Sequence, residues 1–186
     1  MSVALPKLTW EDYLAIPPDG KRHELIDGEH YVSPAPNVRH QRLVRELAFA
    51  LNALVRRAGL GEIFFAPFDV KLTEVDVLQP DLVFISRERA GLLTESHLAG
   101  APDLAVEVLS ASTRRVDEML KRRLYERVGV AEYWVVDPEL ETVKVYRQGA
   151  NGFDRALELA VERGERLESP LLPGLSLPLV DLFAGA

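Results

Sequence analysis

The alternation of apolar and polar residues along the chain predicts helices and strands in mixed order. Thr9 stands where an N-cap belongs for a short helix over 10–16, halted by Pro17-Pro18. Two runs, Arg22–Ile26 and Glu29–Ser33, flank Asp27-Gly28, a residue pair suited to a type I′ hairpin turn. Asn37 heads a long amphipathic stretch. In it Val44, Leu47, Ala48, Leu51, Leu54 and Val55 recur at helical spacing, and Gly59 and Gly61 end it. Strands are expected at 62–66, 69–72 and 81–86, then a helical turn near 94–98 and a strand at 103–109. Thr113 is expected to cap a second helix running to Val128, with Gly129 just past its end. The apolar run 131–136, closed by Asp137-Pro138, reads as a strand. Segments 142–147 and 153–160 read as an antiparallel pair across 148–152. The tail over 170–183, rich in Leu and Pro, reads as an extended arm with a final turn. Strands before and after the helix at 113–128 imply a crossover unit, hence an α/β fold with a mixed sheet.

Composition narrows the function. The 186 residues, 47% hydrophobic and 27% charged, are expected to form one domain over 1–186 and exclude a disordered chain. No apolar run approaches the ~20 residues of a membrane helix. The start lacks a charged head followed by an apolar segment, so no leader and a cytoplasmic location are expected. The absence of cysteine excludes disulfides, thiolate zinc sites, iron–sulfur clusters and cysteine nucleophiles. There is no Gly-rich phosphate loop, no G-x-S-x-G and no H-E-x-x-H, and His23, His30, His40 and His97 show no helical ligand pair.

Net charge is −7, which taken whole argues against a protein that coats nucleic acid. The two long helical segments, 37–58 and 113–128, nevertheless carry eleven Arg and Lys against four acids. Two readings stand: a positive region lining a groove for phosphates, or two solvated helix faces.

Two carboxylates fall where apolar residues are expected. Segments 81–85 and 104–109 are nearly continuous apolar runs, the mark of central strands buried on both faces. Yet Asp81 begins one, and Glu107 sits inside the other. Alternation puts Ala105, Glu107 and Leu109 on one face and Leu104, Val106 and Val108 on the other. Acids on neighbouring central strands repel, and a hard divalent cation such as Mg²⁺ relieves both repulsion and desolvation. The competing reading has Glu107 paired with an arginine and Asp81 capping a turn after Pro80. Glu24, in the first hairpin strand, is a third candidate, although an acid in an edge strand is usually solvated. Asp117, Lys121 and Tyr125 form an i, i+4 row beside the apolar stripe of the second helix. Lys121 there either reaches back to the sheet or snorkels into water, and spacing alone favours water.

An ordered set of motifs now matches a family. It comprises Glu24-Leu-Ile-Asp-Gly-Glu29, Ser33-Pro-Ala-Pro with His40-Gln41, Gln79-Pro-Asp-Leu-Val-Phe84 and Val106-Glu-Val-Leu-Ser110. Lys121, Tyr125 and Gly129-Val-Ala-Glu-Tyr-Trp-Val-Val-Asp137 follow. Over roughly residues 8–183 the chain resembles the Uma-type family of bacterial endonucleases, within the PD-(D/E)XK nuclease superfamily. The resemblance implies a restriction endonuclease-like core, a central mixed β-sheet flanked by helices, here with an N-terminal hairpin. It implies Mg²⁺ (or Mn²⁺)-dependent hydrolysis of phosphodiester bonds, with DNA as partner. Asp81 is similar to the Asp of the Pro-Asp element, Glu107 to the acid of the (D/E)XK element, and Glu24 to the additional N-terminal acid. The Val108 carbonyl is an expected metal ligand. One departure stands out: the superfamily lysine belongs two residues after Glu107, where this chain has Leu109. Lys121, on the following helix, is the candidate replacement. Tyr125 and His40 are accessory candidates, as positioning or phosphate-contacting groups. A homodimer or higher homo-oligomer is expected, two-fold for a duplex substrate, with the apolar stretch Leu171-Leu-Pro-Gly-Leu175 either serving that contact or covering its own core. The alternative reading is a catalytically inactive module of the same fold that binds nucleic acid or protein.

Overall fold

A computed structural model of the chain describes residues 6–185. Residues 1–5, part of the stretch in which no leader is expected, and Ala186 lie outside them. Helix α1 (Trp10–Leu14) starts at Thr9, whose side chain and that of Asp12 cap each other's backbone N–H groups. Strands β1 (Arg22–Ile26) and β2 (Glu29–Ser33) form the expected hairpin, with Asp27 and Gly28 both at positive φ, 52° and 74°, as a type I′ turn requires. Helix α2 (Val38–Ala58) is capped by Asn37, which accepts the His40 N–H, and closed by Gly59 in the left-handed region.

Strands β3 (Gly61–Phe65), β4 (Asp69–Lys71), β5 (Val77–Leu78) and β6 (Leu82–Ser86) follow. A 3₁₀ turn at Arg87–Leu92 and strand β7 (His97–Ala99) replace the helical turn expected near 94–98. Residues 97–99 lie beside β4 in parallel register, and that pairing overrides their local preference. After β8 (Leu104–Val108) the chain turns at Ser110, not Thr113: Ser110 accepts the Thr113 N–H through its side chain and the Arg114 N–H through its carbonyl. A π-helical segment, Val116–Lys121, then runs directly into α3 (Arg122–Arg127). Strands β9 (Glu132–Asp137) and β10 (Thr142–Gly149) pair antiparallel. The expected 153–160 strand is split into β11 (Gly152–Phe153) and β12 (Leu157–Ala160), both paired with β10. Short strands β13 (Arg166–Leu167) and β14 (Leu177–Pro178) and helix α4 (Leu179–Ala184) complete the tail.

The strands make two larger sheets rather than one. The first has the order β11-β10-β9-β8-β6-β3, with β12 also on β10; β8 and β9 are parallel through the crossover that contains α3, and its other pairs are antiparallel. The second has the order β2-β1-β5-β4-β7. On one face of the first sheet, Leu104, Val106 and Val108 pack with Leu43, Leu47 and Leu51 of α2. On the other, Ala105 and Leu109 pack with Leu124 and Tyr125 of α3. The two faces of β8 divide as its alternation requires. Leu172 and Leu175 join the α2 side of the core, so the 171–175 stretch covers its own protein. Among the described residues, no helix is long and apolar enough to cross a membrane.

Candidate active site

The central strands bring the predicted acids together. Leu82 pairs with Val106 in antiparallel register, so Asp81 and Glu107 lie one step further along the same two chains. Asp81 accepts the Val108 N–H at 2.8 Å, His40 Nε2 at 3.0 Å and Arg22 Nη2 at 2.8 Å. It therefore does more than cap the turn after Pro80. Glu107 pairs with Lys121 rather than with an arginine: Lys121 Nζ is 3.0 Å from Oε1, and the Tyr125 hydroxyl donates to the same oxygen at 3.2 Å.

Lys121 also lies 2.9 Å from Glu24 and 3.3 Å from Asp117. It does not snorkel. The crossover lays its helix on the face of β8 that carries Glu107, and the first hairpin closes over the same place. Glu24 is not in an edge strand, because β5 pairs with the open side of β1. Its carboxylate accepts the Gln79 N–H at 2.9 Å. Glu24, Asp81, Glu107, Asp117 and Lys121 each expose no more than 2% of their surface.

All of these except Glu24 line a cleft of about 250 Å³, together with Arg22, His40 and Val108. Its walls are the loops Ser33–Asn37 and Ser110–Thr113. The arginines of the two basic helices do not line it; Arg22, from the hairpin, is the one arginine that does. Several helix arginines are instead held by acids, Arg39 by Glu141, Arg114 by Asp137 and Arg127 by Asp76.

The charges do not balance. Four carboxyl groups face two permanent cations, Arg22 and Lys121, so ionisation of all four would leave an excess of two negative charges. Titration reflects the imbalance. Burial raises the Asp81 carboxyl, but the His40 hydrogen bond, the Arg22 charge and the Val108 N–H outweigh it and hold Asp81 down to about 2. At Glu107 burial wins: Lys121 opposes it, yet Asp117, Asp81 and Glu24 add to it, and the carboxyl is pushed well above its usual range. Burial depresses the Lys121 ammonium, but Glu107, Glu24 and Asp117 outweigh it and hold it charged.

One buried oxygen, Asp117 Oδ1, has no hydrogen-bond partner. Among the described residues no three His, Asp or Glu groups stand ready around a common metal position. The chemistry of the donor set nevertheless fits a hard divalent cation: oxygen ligands, more carboxyl groups than permanent cations and an unsatisfied carboxylate oxygen. Asp81, Glu107 and the Val108 carbonyl would hold it.

Asp117 and Arg22 are the two groups that the reading of site residues from sequence missed. Asp117 was visible only as a member of the i, i+4 row with Lys121 and Tyr125. Arg22 was visible only as the residue two before Glu24, on the same strand face.

The family model Uma2, described as "Putative restriction endonuclease", matches residues 10–180. The chain belongs to the Uma2 family. Membership makes it a nuclease-like protein. No curated protein matches the sequence. Among solved structures, a protein from Anabaena variabilis ATCC 29413, described as a putative nuclease, is 21% identical, with a TM-score of 0.81. The match covers 96% of this chain and 98% of that one, and it shows that the fold is shared from end to end.

Proposed function

We propose that this Uma2-family protein is a divalent-metal-dependent endonuclease that hydrolyses phosphodiester bonds in DNA, and that the cleft is its active site. The observation that carries this reading is the gathering of Asp81, Glu107, Asp117 and Glu24 around only two permanent cations, with Asp81 and Glu107 set at central strands where carboxylates are costly. A bound Mg²⁺ or Mn²⁺ would supply Lewis-acid polarisation of the scissile phosphate and acidify a water. The chain's own groups have separate tasks. Arg22, His40 and the Val108 N–H keep Asp81 ionised and fixed in direction. Tyr125 fixes Glu107 through its hydroxyl. Glu24 holds Lys121, whose ammonium orients the attacking water or stabilises the charge that develops on phosphorus. A two-fold dimer would set one such cleft against each strand of a duplex.

The test is nicking or linearisation of supercoiled plasmid with Mg²⁺ and then Mn²⁺, comparing wild type with Glu107→Gln and Asp81→Asn. Cleavage should require metal and fall at least about a hundredfold in either variant. Equal cleavage by all three proteins would remove the cleft from the mechanism. One observation favours the alternative of an inactive binding module: Lys121 already partners Glu107. That module would bind no Mn²⁺ at Asp81 and Glu107 and cleave neither DNA nor RNA.

A further inference from the structure

We infer that Asp117 is a positioning residue that receives the Lys121 ammonium when Glu107 takes up a divalent cation, relieving the repulsion between the two cations. The inference rests on the metal-site reading above. Lys121 Nζ sits among three carboxylates, and its distances are unequal: 2.9 Å to Glu24, 3.0 Å to Glu107 and 3.3 Å to Asp117. Nζ donates to Glu107, but its approach to Asp117 Oδ1 falls outside hydrogen-bond geometry, and that oxygen has no other partner. A buried carboxylate oxygen left unpaired is costly. It persists beside an ammonium that has been drawn toward two other acids.

The Glu107 Oε1 lone pairs are taken by Lys121 and Tyr125. A divalent cation on Glu107 is opposed by the ammonium already held at Oε1, since two cations on one carboxylate repel. Asp117 is the acceptor within reach. It lies four residues before Lys121 on the π-helical segment and lines the same cleft. A small swing of a flexible lysine head toward Oδ1 would complete a bond now missing and free one now made. Helical segments of π geometry occur frequently at functional sites, where the wider turn re-aims side chains.

Mn²⁺ affinity, measured by calorimetry on the full chain, tests this in a double-mutant cycle of Asp117→Asn and Lys121→Met. In the wild-type background, Asp117→Asn should weaken Mn²⁺ binding about tenfold. In the Lys121→Met background, where no ammonium competes, binding should be tighter than in wild type and the Asp117→Asn effect should largely vanish. An equal loss in both backgrounds would make Asp117 a direct ligand or a simple charge, and would overturn the inference while leaving the metal site standing. If neither wild type nor Lys121→Met binds Mn²⁺, the metal-site reading falls and this inference with it. Should Lys121→Met fail to fold, NMR of the Lys121 ammonium decides the matter. Adding Mg²⁺ should shift its resonance in wild type but not in Asp117→Asn; the same shift in both would overturn the inference.

Discussion

Without the Lys121 ammonium, Glu24, Glu107 and Asp117 would be left buried and facing one another. Breaking a buried ion pair from one side typically costs ~3–5 kcal/mol. Lys121→Met is therefore expected to lower unfolding free energy by about that much in denaturant titration without metal. Unchanged stability would mean that the carboxylates take up protons and need no counter-charge. Asp81 and Glu107 were legible in the sequence because an acid in an apolar strand breaks a pattern. Lys121 was legible only through the family resemblance and Asp117 not as a site residue at all, because charged residues on a helix break nothing. Their burial depends on the hairpin closing over that helix face, which no local spacing encodes.

Two of the elements show how far local pattern reaches. The α2 helix was legible down to its cap, since Asn37 precedes a clean apolar stripe; Asn37→Ala should cost about 1 kcal/mol in thermal or chemical unfolding, mainly by losing the acceptor for the His40 N–H. By contrast, β1 was misjudged as an edge strand. Its missing neighbour, β5, has only two residues, too few to show any period. The join between the second basic helix and β9 rests on Arg114, which holds Asp137 with contacts of 2.5 and 3.2 Å. Burial raises the Asp137 carboxyl, but the Arg114 hydrogen bond and the Leu140 and Glu139 N–H groups outweigh it and set it below its usual value. Its folded value lies below its unfolded one, so its contribution is complete above about pH 4 and disappears as pH falls through the lower folded value. The stability gap between wild type and Asp137→Asn should accordingly be constant near neutrality and close progressively in acid. A gap that widened in acid would show that the ion pair is not what Asp137 contributes.

Across the whole molecule, the crossover order of strands was legible, because a helix between two apolar strands admits few arrangements. The division into two sheets was not, since it depends on β4, β5 and β7, each three residues or fewer. Leu172, fully buried against the α2 side of the core, ties the tail to the rest. Leu172→Ala should cost ~2–5 kcal/mol in denaturant unfolding without altering metal affinity. A change in affinity would show that the tail shapes the cleft. The site itself straddles the two sheets: Glu24 and Arg22 come from one, Asp81 and Glu107 border the other. Beside each sheet's part of the site an amide proton ends on a carboxylate, that of Gln79, just past β5, on Glu24 and that of Val108, in β8, on Asp81. Those two protons are native spectroscopic reporters. Their exchange rates and chemical shifts would register, without any label placed in the cleft, whether the halves of the site move as one body or separately.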